Sequence, residues 1–338
     1  MASGALVYKV EDRSILLPFY RRFLVDPFLP LLPARLNPNT ITHAGHLLNL
    51  AGTALLIAAW PKSGWIFAAA MVTLQLYMWC DNADGAHARR TNQCSALGEF
   101  LDHGLDQLNT VYIGYLTAMS LGVRPLWWVA FALIIPGAGA ITYWEQTQTG
   151  TFRLGLLNQV ESLTVLSTAL TVSAIFGTGI WEQVSFHGIT LQRAILLWSA
   201  STIIFGILRA MHRVGMAGGL SAVLPAAALI AFGAAIFGAA AIGAISTIVA
   251  VTLATCASVY FGMRMLTLRL HAQLPRVEPI LLGGTAILAC VIAWRALGNE
   301  LGSLVGPVIS FLACAVFGAQ AIVDARRSIQ RLDSLPAR

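Results

Sequence analysis

The chain has 338 residues, of which 57% are hydrophobic and only 11% charged, with a mean hydropathy of +0.73 and a formal net charge of +6. This balance excludes an ordinary soluble globular domain and a disordered tail, and makes the bilayer the natural solvent. The excess of positive charge needs no nucleic acid, because loops that face anionic lipid headgroups attract basic residues unaided.

In chain order, residues 1–38 come first. Their core, SILLPFYRRFLVDPFLPLLPARL, mixes apolar and basic positions and predicts one or two amphipathic helices on the inner membrane surface. Pro18, Pro27, Pro30 and Pro33 break that segment, and no secretory signal is visible in it. Apolar runs of about 20 residues, the length that crosses hydrocarbon, follow at 41–60, 63–80, 98–121, 125–144, 161–180 and 189–210. Residues 214–263 carry no charge. They are too long for one span and predict a hairpin of two, broken near Gly238 to Gly243, after which 277–296 and 302–323 complete the series. The expected fold is all-α: a polytopic integral membrane protein of about ten transmembrane helices.

Ten spans put both termini on one side. Of the 21 Lys and Arg, four (Lys62, Arg124, Arg193 and Arg295) fall on one side of this register and the rest on the other. The positive-inside rule makes the rich side cytoplasmic. Arg outnumbers Lys nineteen to two, a compositional sign of a GC-rich bacterial genome. That would place the chain in a bacterial inner membrane, or in the endoplasmic reticulum or Golgi were the source eukaryotic.

The segment DNADGAHARRTNQCSALGEFLDHGLD, Asp81 to Asp106, falls at the cytoplasmic ends of the second and third spans. Carboxylates at the end of a membrane helix are costly and usually line a polar cavity or bind cations. Asp81 and Asp84 are three apart, and Asp102 and Asp106 four apart, so each pair shares a helix face. If the two helices face each other, four carboxylates converge, and divalent cations on hard oxygen ligands relieve their repulsion most simply. Two such ions could clamp a phosphoryl group during in-line displacement. Gly85 and Gly98 allow close approach of backbone or phosphate, and Arg89 supplies a planar cation for phosphate. The bland alternative, acids that sit in water or pair with Arg89 and Arg90, suits a single aspartate better than two helically spaced pairs.

Cys80, Cys94, Cys256, Cys290 and Cys314 have no metal-ligand spacing and read as small buried residues. The small residues of AFGAAIFGAAAIGAI, 231–245, read as helix-packing surface.

The pattern Asp81-x2-Asp84-Gly85-x2-Ala88-Arg89-x8-Gly98-x3-Asp102-x3-Asp106 resembles the complete signature of the CDP-alcohol phosphotransferases. The filling residues, ARRTN at 88–92 and the triplet Asp102-His103-Gly104, are similar to the choline/ethanolamine phosphotransferase branch. LNPNTIT at 36–42 resembles the PNxIT opening of that branch's first membrane helix. TGTFRLG at 149–155, followed by Glu161, resembles the loop before its fifth. The resemblance covers the first half of the chain. It implies transfer of phosphocholine or phosphoethanolamine from CDP-choline or CDP-ethanolamine to diacylglycerol, with release of CMP and with Mg2+ (two ions, Mn2+ as substitute) on Asp81, Asp84, Asp102 and Asp106. It also implies a homodimer.

His103 is the candidate base for the acceptor hydroxyl: imidazole titrates near neutrality, it stands one residue past a metal ligand, and the branch assigns its histidine that role. The alternative is a partner of Glu99 one turn back. By resemblance Asn39 contacts the nucleotide, although its position equally fits a helix N-cap; Arg89, Gly85 and Gly98 border the CDP phosphates. Glu161 orients the acceptor or His103 by resemblance, or answers the helix dipole. Tyr77, Trp79, Tyr143 and Trp144 fit an interfacial aromatic belt better than a choline cage.

The expected organisation is a surface segment 1–38, a catalytic core 39–213 with six spans, and four further spans with a cytoplasmic tail, 214–338. Two other functions stay in view. One is the same chemistry with the donor reversed, CDP-diacylglycerol giving phosphatidyl to a polyol or its phosphate. The other is a divalent cation transporter, which the clustering of acids at one face disfavours.

Overall fold

The computed structural model describes residues 9–59, 64–155, 158–297 and 302–333. Lys62, the first eight residues and the tail from 334 lie outside the described residues, as does the side chain of Cys314. The chain opens with β1 (Lys9–Asp12), α1 (Leu17–Tyr20), a π-turn at Arg21–Val25 and a 3-10 turn at Leu29–Leu31. Long helices follow: α2 (Pro38–Ala59), α3 (Gly64–Thr91), α4 (Ala96–Ser120) and α5 (Pro125–Thr149). A short strand β2 (Thr151–Leu154) precedes α6 (Gln159–Phe176). Then come α7 (Ile180–Gln183), a hairpin of β3 (Ser185–Phe186) and β4 (Ile189–Thr190) in register Ser185 with Thr190, α8 (Leu191–Ala241), α9 (Thr247–Leu270), α10 (Pro279–Ala296) and α11 (Gly302–Asp333).

The helix ends follow local chemistry. The Asn37 side chain accepts the Asn39 amide at 2.9 Å, and Pro38 opens α2. Thus Asn37, and not Asn39, caps this helix. Ser95 caps α4 by accepting from the Gly98 amide at 3.0 Å, and Gly150, left-handed at φ 72°, ends α5. Asn158 and Glu161 form a capping box at the start of α6.

Among the described residues six helices are long and apolar enough to cross a membrane: α2, α5, α6, α8, α9 and α10. The protein is an integral membrane protein, mainly helical. The aspartate-bearing α3 and α4 are not in that set. With 28 residues α3 is about 42 Å long, well beyond a hydrocarbon core of about 30 Å, so its polar last turns need not lie in lipid. The expected break after span 189–210 does not occur at Arg213. Its guanidinium is held by Glu145, Nη2 to Oε2 at 2.8 Å, so the helix carries the charge onward. The chain departs from helical geometry instead at Gly219, φ 72°. The uncharged stretch turns between α8 and α9 at Ile242–Ser246, with Gly243 at φ 69°, where the glycines of 238–243 predict it.

The chain forms two compact units. One contains Val10–Val123 and Arg153–Ser199; here α2, α3, α4 and α6 pack together. Helices α2 and α3 approach closely at glycines: a Cβ on Gly45 would stand 2.7 Å from the Cys80 Cβ, and one on Gly52 would overlap the Thr73 hydroxyl. At the other end Trp181 Nε1 donates to the Ser120 carbonyl at 2.8 Å and Gln192 to the Leu121 carbonyl at 2.7 Å. The second unit contains Arg124–Phe152 and the described part of 200–334, built on α5, α9, α10 and α11. Its core includes Phe232, Phe317 and Tyr260 in ring contact. Arg264 bridges Glu278 at 3.0 Å and Asp324 at 3.1 Å.

Candidate metal and nucleotide site

In the first unit Asp81 on α3 meets Asp102 and Asp106, one turn apart on α4. One carboxylate oxygen from each lies within 4.8 Å of the other two. Asp84 does not join them. It is 5% exposed, with Thr42 of α2 donating to Oδ2 and the Gly85 amide donating to Oδ1. Of the four expected acids three lie within that distance of one another, and a spacing of three leaves Asp84 rotated about 60° from Asp81, toward α2.

The described ion pairs lie elsewhere, Arg153 with Glu11 and the arginines of the second unit. Among the described residues no lysine or arginine pairs with Asp81, Asp102 or Asp106. Three crowded carboxylates without a protein cation, all hard oxygen donors, suit a divalent metal ion.

Asn39, in the first turn of α2, comes beside Gly98, where an added Cβ would stand 3.1 Å from the Asn39 Oδ1 and 3.2 Å from the Ser95 hydroxyl. Arg89 folds back along α3 over Gly85, its Nη1 3.3 Å from the place of a Cβ there. Both glycines thus make room for a polar side chain. His103 is buried at 4% exposure beside Asp102 and is not one of the trio.

Glu161 has partners other than His103. Its Oε1 accepts from the Ser14 hydroxyl at 2.7 Å and from the Ile15 and Leu16 amides, each at 2.8 Å; Oε2 accepts from the Asn158 amide at 3.2 Å. It fastens the N-terminal segment to α6. The same segment is tied to α3 by Trp79 Nε1, which donates to the Leu24 carbonyl at 2.7 Å, and by Arg90, which donates to the Leu32 carbonyl at 2.9 Å; Gln93, just past α3, donates to the Ala34 carbonyl at 2.9 Å. Val25 and Leu29 pack on Ile41, Cys80, Ala83 and Ala86 behind the aspartates. Burial, and after it the charge of Asp81, pushes the Tyr20 hydroxyl up to about 12. The amphipathic segment is therefore a strap: Phe19, Phe23 and Leu31 face outward while Val25 and Leu29 are buried.

Sequence reasoning missed two residues. Tyr77 is 3% exposed and donates to Asp106 at 3.1 Å, so it is no interfacial belt residue. Its place one turn before Asp81 was the available signal. Gln159, at the start of α6, donates to the Tyr77 hydroxyl at 3.0 Å. Nothing in its own neighbourhood announces that. Tyr143 and Trp144 are likewise buried, and Cys80 is buried without disulfide.

A helical membrane protein with a carboxylate trio at the meeting of two helices presents hard oxygen donors suited to a divalent metal ion. The chain belongs to the CDP-alcohol phosphatidyltransferase family, which matches residues 35–205. It is similar to cholinephosphotransferase 1 of Xenopus laevis, 29% identical over 201 residues, covering 56% of this chain and 49% of that protein. Cholinephosphotransferase 1 of Gallus gallus is 33% identical over 196 residues, 55% of this chain and 57% of that protein. Choline/ethanolaminephosphotransferase 1 of Saccharomyces cerevisiae is 26% identical over 191 residues, 53% and 47%. The matches span about half the length of these curated relatives.

Proposed function

We propose that this chain makes phospholipid by moving phosphocholine or phosphoethanolamine from the CDP-alcohol to diacylglycerol, with release of CMP. The observation that carries this reading is the trio Asp81, Asp102 and Asp106 within 4.8 Å, in a chain whose relatives are named for that headgroup. Asp81, Asp84, Asp102 and Asp106 would hold two Mg2+, with Mn2+ as a substitute, and the ions would supply positive charge to the pyrophosphate and the departing CMP. Asn39 and Arg89 orient the nucleotide, with Gly85 and Gly98 leaving space for it. His103 takes the proton of the acceptor hydroxyl. The acceptor oxygen then bonds to the β-phosphorus, and the bond from that phosphorus to the bridging oxygen breaks, its electron pair leaving with CMP.

Catalysis belongs to the stretch 39–213, and 214–338 adds further spans. Counting α3, α4 and α11, and dividing the 51-residue α8 at Gly219, gives ten spans. Basic loops then put the site on the cytoplasmic face. The working form is a homodimer, as the resemblance implies.

A second reading follows from the family's own description, a phosphatidyltransferase: CDP-diacylglycerol as donor and a polyol or polyol phosphate as acceptor. The test is purified protein in lipid with Mg2+ and a panel of CDP-choline, CDP-ethanolamine and CDP-diacylglycerol plus polyols, with CMP and lipid product read together. Diacylglycerol-dependent CMP release from CDP-choline or CDP-ethanolamine is expected. Release from CDP-diacylglycerol alone transfers the chain to the second reading.

A further inference from the structure

Tyr77 touches the trio without belonging to it, and Gln159 holds Tyr77. The Tyr77 hydroxyl uses both of its hydrogen-bonding functions: it donates to Asp106 Oδ1 at 3.1 Å and accepts from Gln159 Nε2 at 3.0 Å. The Tyr77 phenol therefore ties α3 to a carboxylate of α4 and is itself held from the first residue of α6.

Three carboxylates held within 4.8 Å repel one another, and each free side chain would relieve that by rotating away. An arginine or lysine could restrain them, but it would supply the charge that a cation is needed for. A phenol and an amide restrain the rotamers and leave the negative charge intact. Tyr77 is 3% exposed, which keeps water from competing for these bonds.

We propose that Tyr77 and Gln159 are positioning residues that preset Asp106 for a divalent cation, Tyr77 directly and Gln159 through Tyr77. This rests on the reading of the trio as a metal site. Tyr77→Phe removes a single hydroxyl, and Gln159→Leu removes the amide at similar volume. Gln75→Leu is the control: Gln75 also joins α3 to α6, donating to the Ser167 hydroxyl at 2.6 Å, but touches none of the acids.

The full chain in lipid nanodiscs is titrated with Mn2+ alone, without nucleotide, and free Mn2+ is read by electron paramagnetic resonance. Outer partners of metal ligands typically change affinity by about 10- to 100-fold. The expected result is a dissociation constant for Mn2+ raised on the order of tenfold in Tyr77→Phe and Gln159→Leu, unchanged in Gln75→Leu, with turnover of Tyr77→Phe recovering as Mn2+ is raised. Unchanged affinity in both variants, or an equal loss in Gln75→Leu, overturns the positioning role while leaving the metal site standing. A wild-type chain with no Mn2+ site that Asp102→Asn removes overturns the metal reading itself, and this proposal with it.

Discussion

Glu161→Gln separates two roles for one carboxylate. In the wild type Oε1 takes the Ser14 hydroxyl at 2.7 Å and the Ile15 and Leu16 amides at 2.8 Å. Hydrogen bonds to a charged acceptor contribute about 1.5–3 kcal/mol and neutral ones about 0.5–1.5 kcal/mol. The isosteric amide keeps the acceptor oxygen but loses the charge, so each of the three bonds weakens by about 1 kcal/mol, and the strap's attachment by about 3 kcal/mol. At about 1.4 kcal/mol per tenfold, the detached fraction rises on the order of a hundredfold. Trypsin reads that fraction directly, because Arg13 and Arg22 are exposed on the strap and cleavage of a briefly opened segment follows its population. Faster cleavage at Arg13 and Arg22, with the rest of the chain still protected, is expected. A strap as protected as in the wild type, together with collapsed turnover, would refute this account and return Glu161 to the acceptor or to His103.

Asp102→Asn removes one ligand of the trio and is expected to abolish both Mg2+-dependent CMP binding and turnover; His103→Ala is expected to keep the first, measured by calorimetry, and lose the second. Near-normal turnover of His103→Ala would show that another group takes the proton. Gly98→Ala pushes Asn39 by a few tenths of an ångström. A displacement of that size at a substrate-orienting group raises the KM for CDP-alcohol about three- to tenfold with kcat less affected, and an unchanged KM removes Asn39 from the nucleotide site. Arg213→Ala removes the arginine that pairs with Glu145, which is 3% exposed. It is expected to cost about 3 kcal/mol, the lower bound for a broken buried pair since the arginine is partly exposed, read as a fall in the thermal aggregation midpoint.

Helix spacing was legible wherever it depended on local pattern. Apolar runs located the helices, and spacings of three and four placed Asp81 with Asp84 and Asp102 with Asp106 on their helices. What escaped was set by partners distant in the chain. Asp84 takes a donor from Thr42 of α2, 42 residues earlier, and Gln159 arrives 82 residues after Tyr77. Arg213 looked like the end of a span because its neutralising partner lies 68 residues earlier. Helix α3 outran its apolar stretch for a local reason: ADGAHARR is mostly good helix former, so the helix persists after its hydrophobicity ends.

The strap sets an order of assembly. Its clasp joins Ser14 to Glu161, 147 positions later, so this end of the segment cannot be fastened until α6 has been made. Val25 and Leu29, in contrast, lie on Ile41, Cys80, Ala83 and Ala86 of α2 and α3, a surface complete before α6. A chain that stops before Asn158 carries the aspartates of α3 and α4 but not the clasp that holds the strap. The strap thus precedes the helices of its unit in the chain, yet the clasp at Ser14 closes only once α6 is present. A bulky fusion placed ahead of the strap would burden biogenesis at this late step, before any substrate is met.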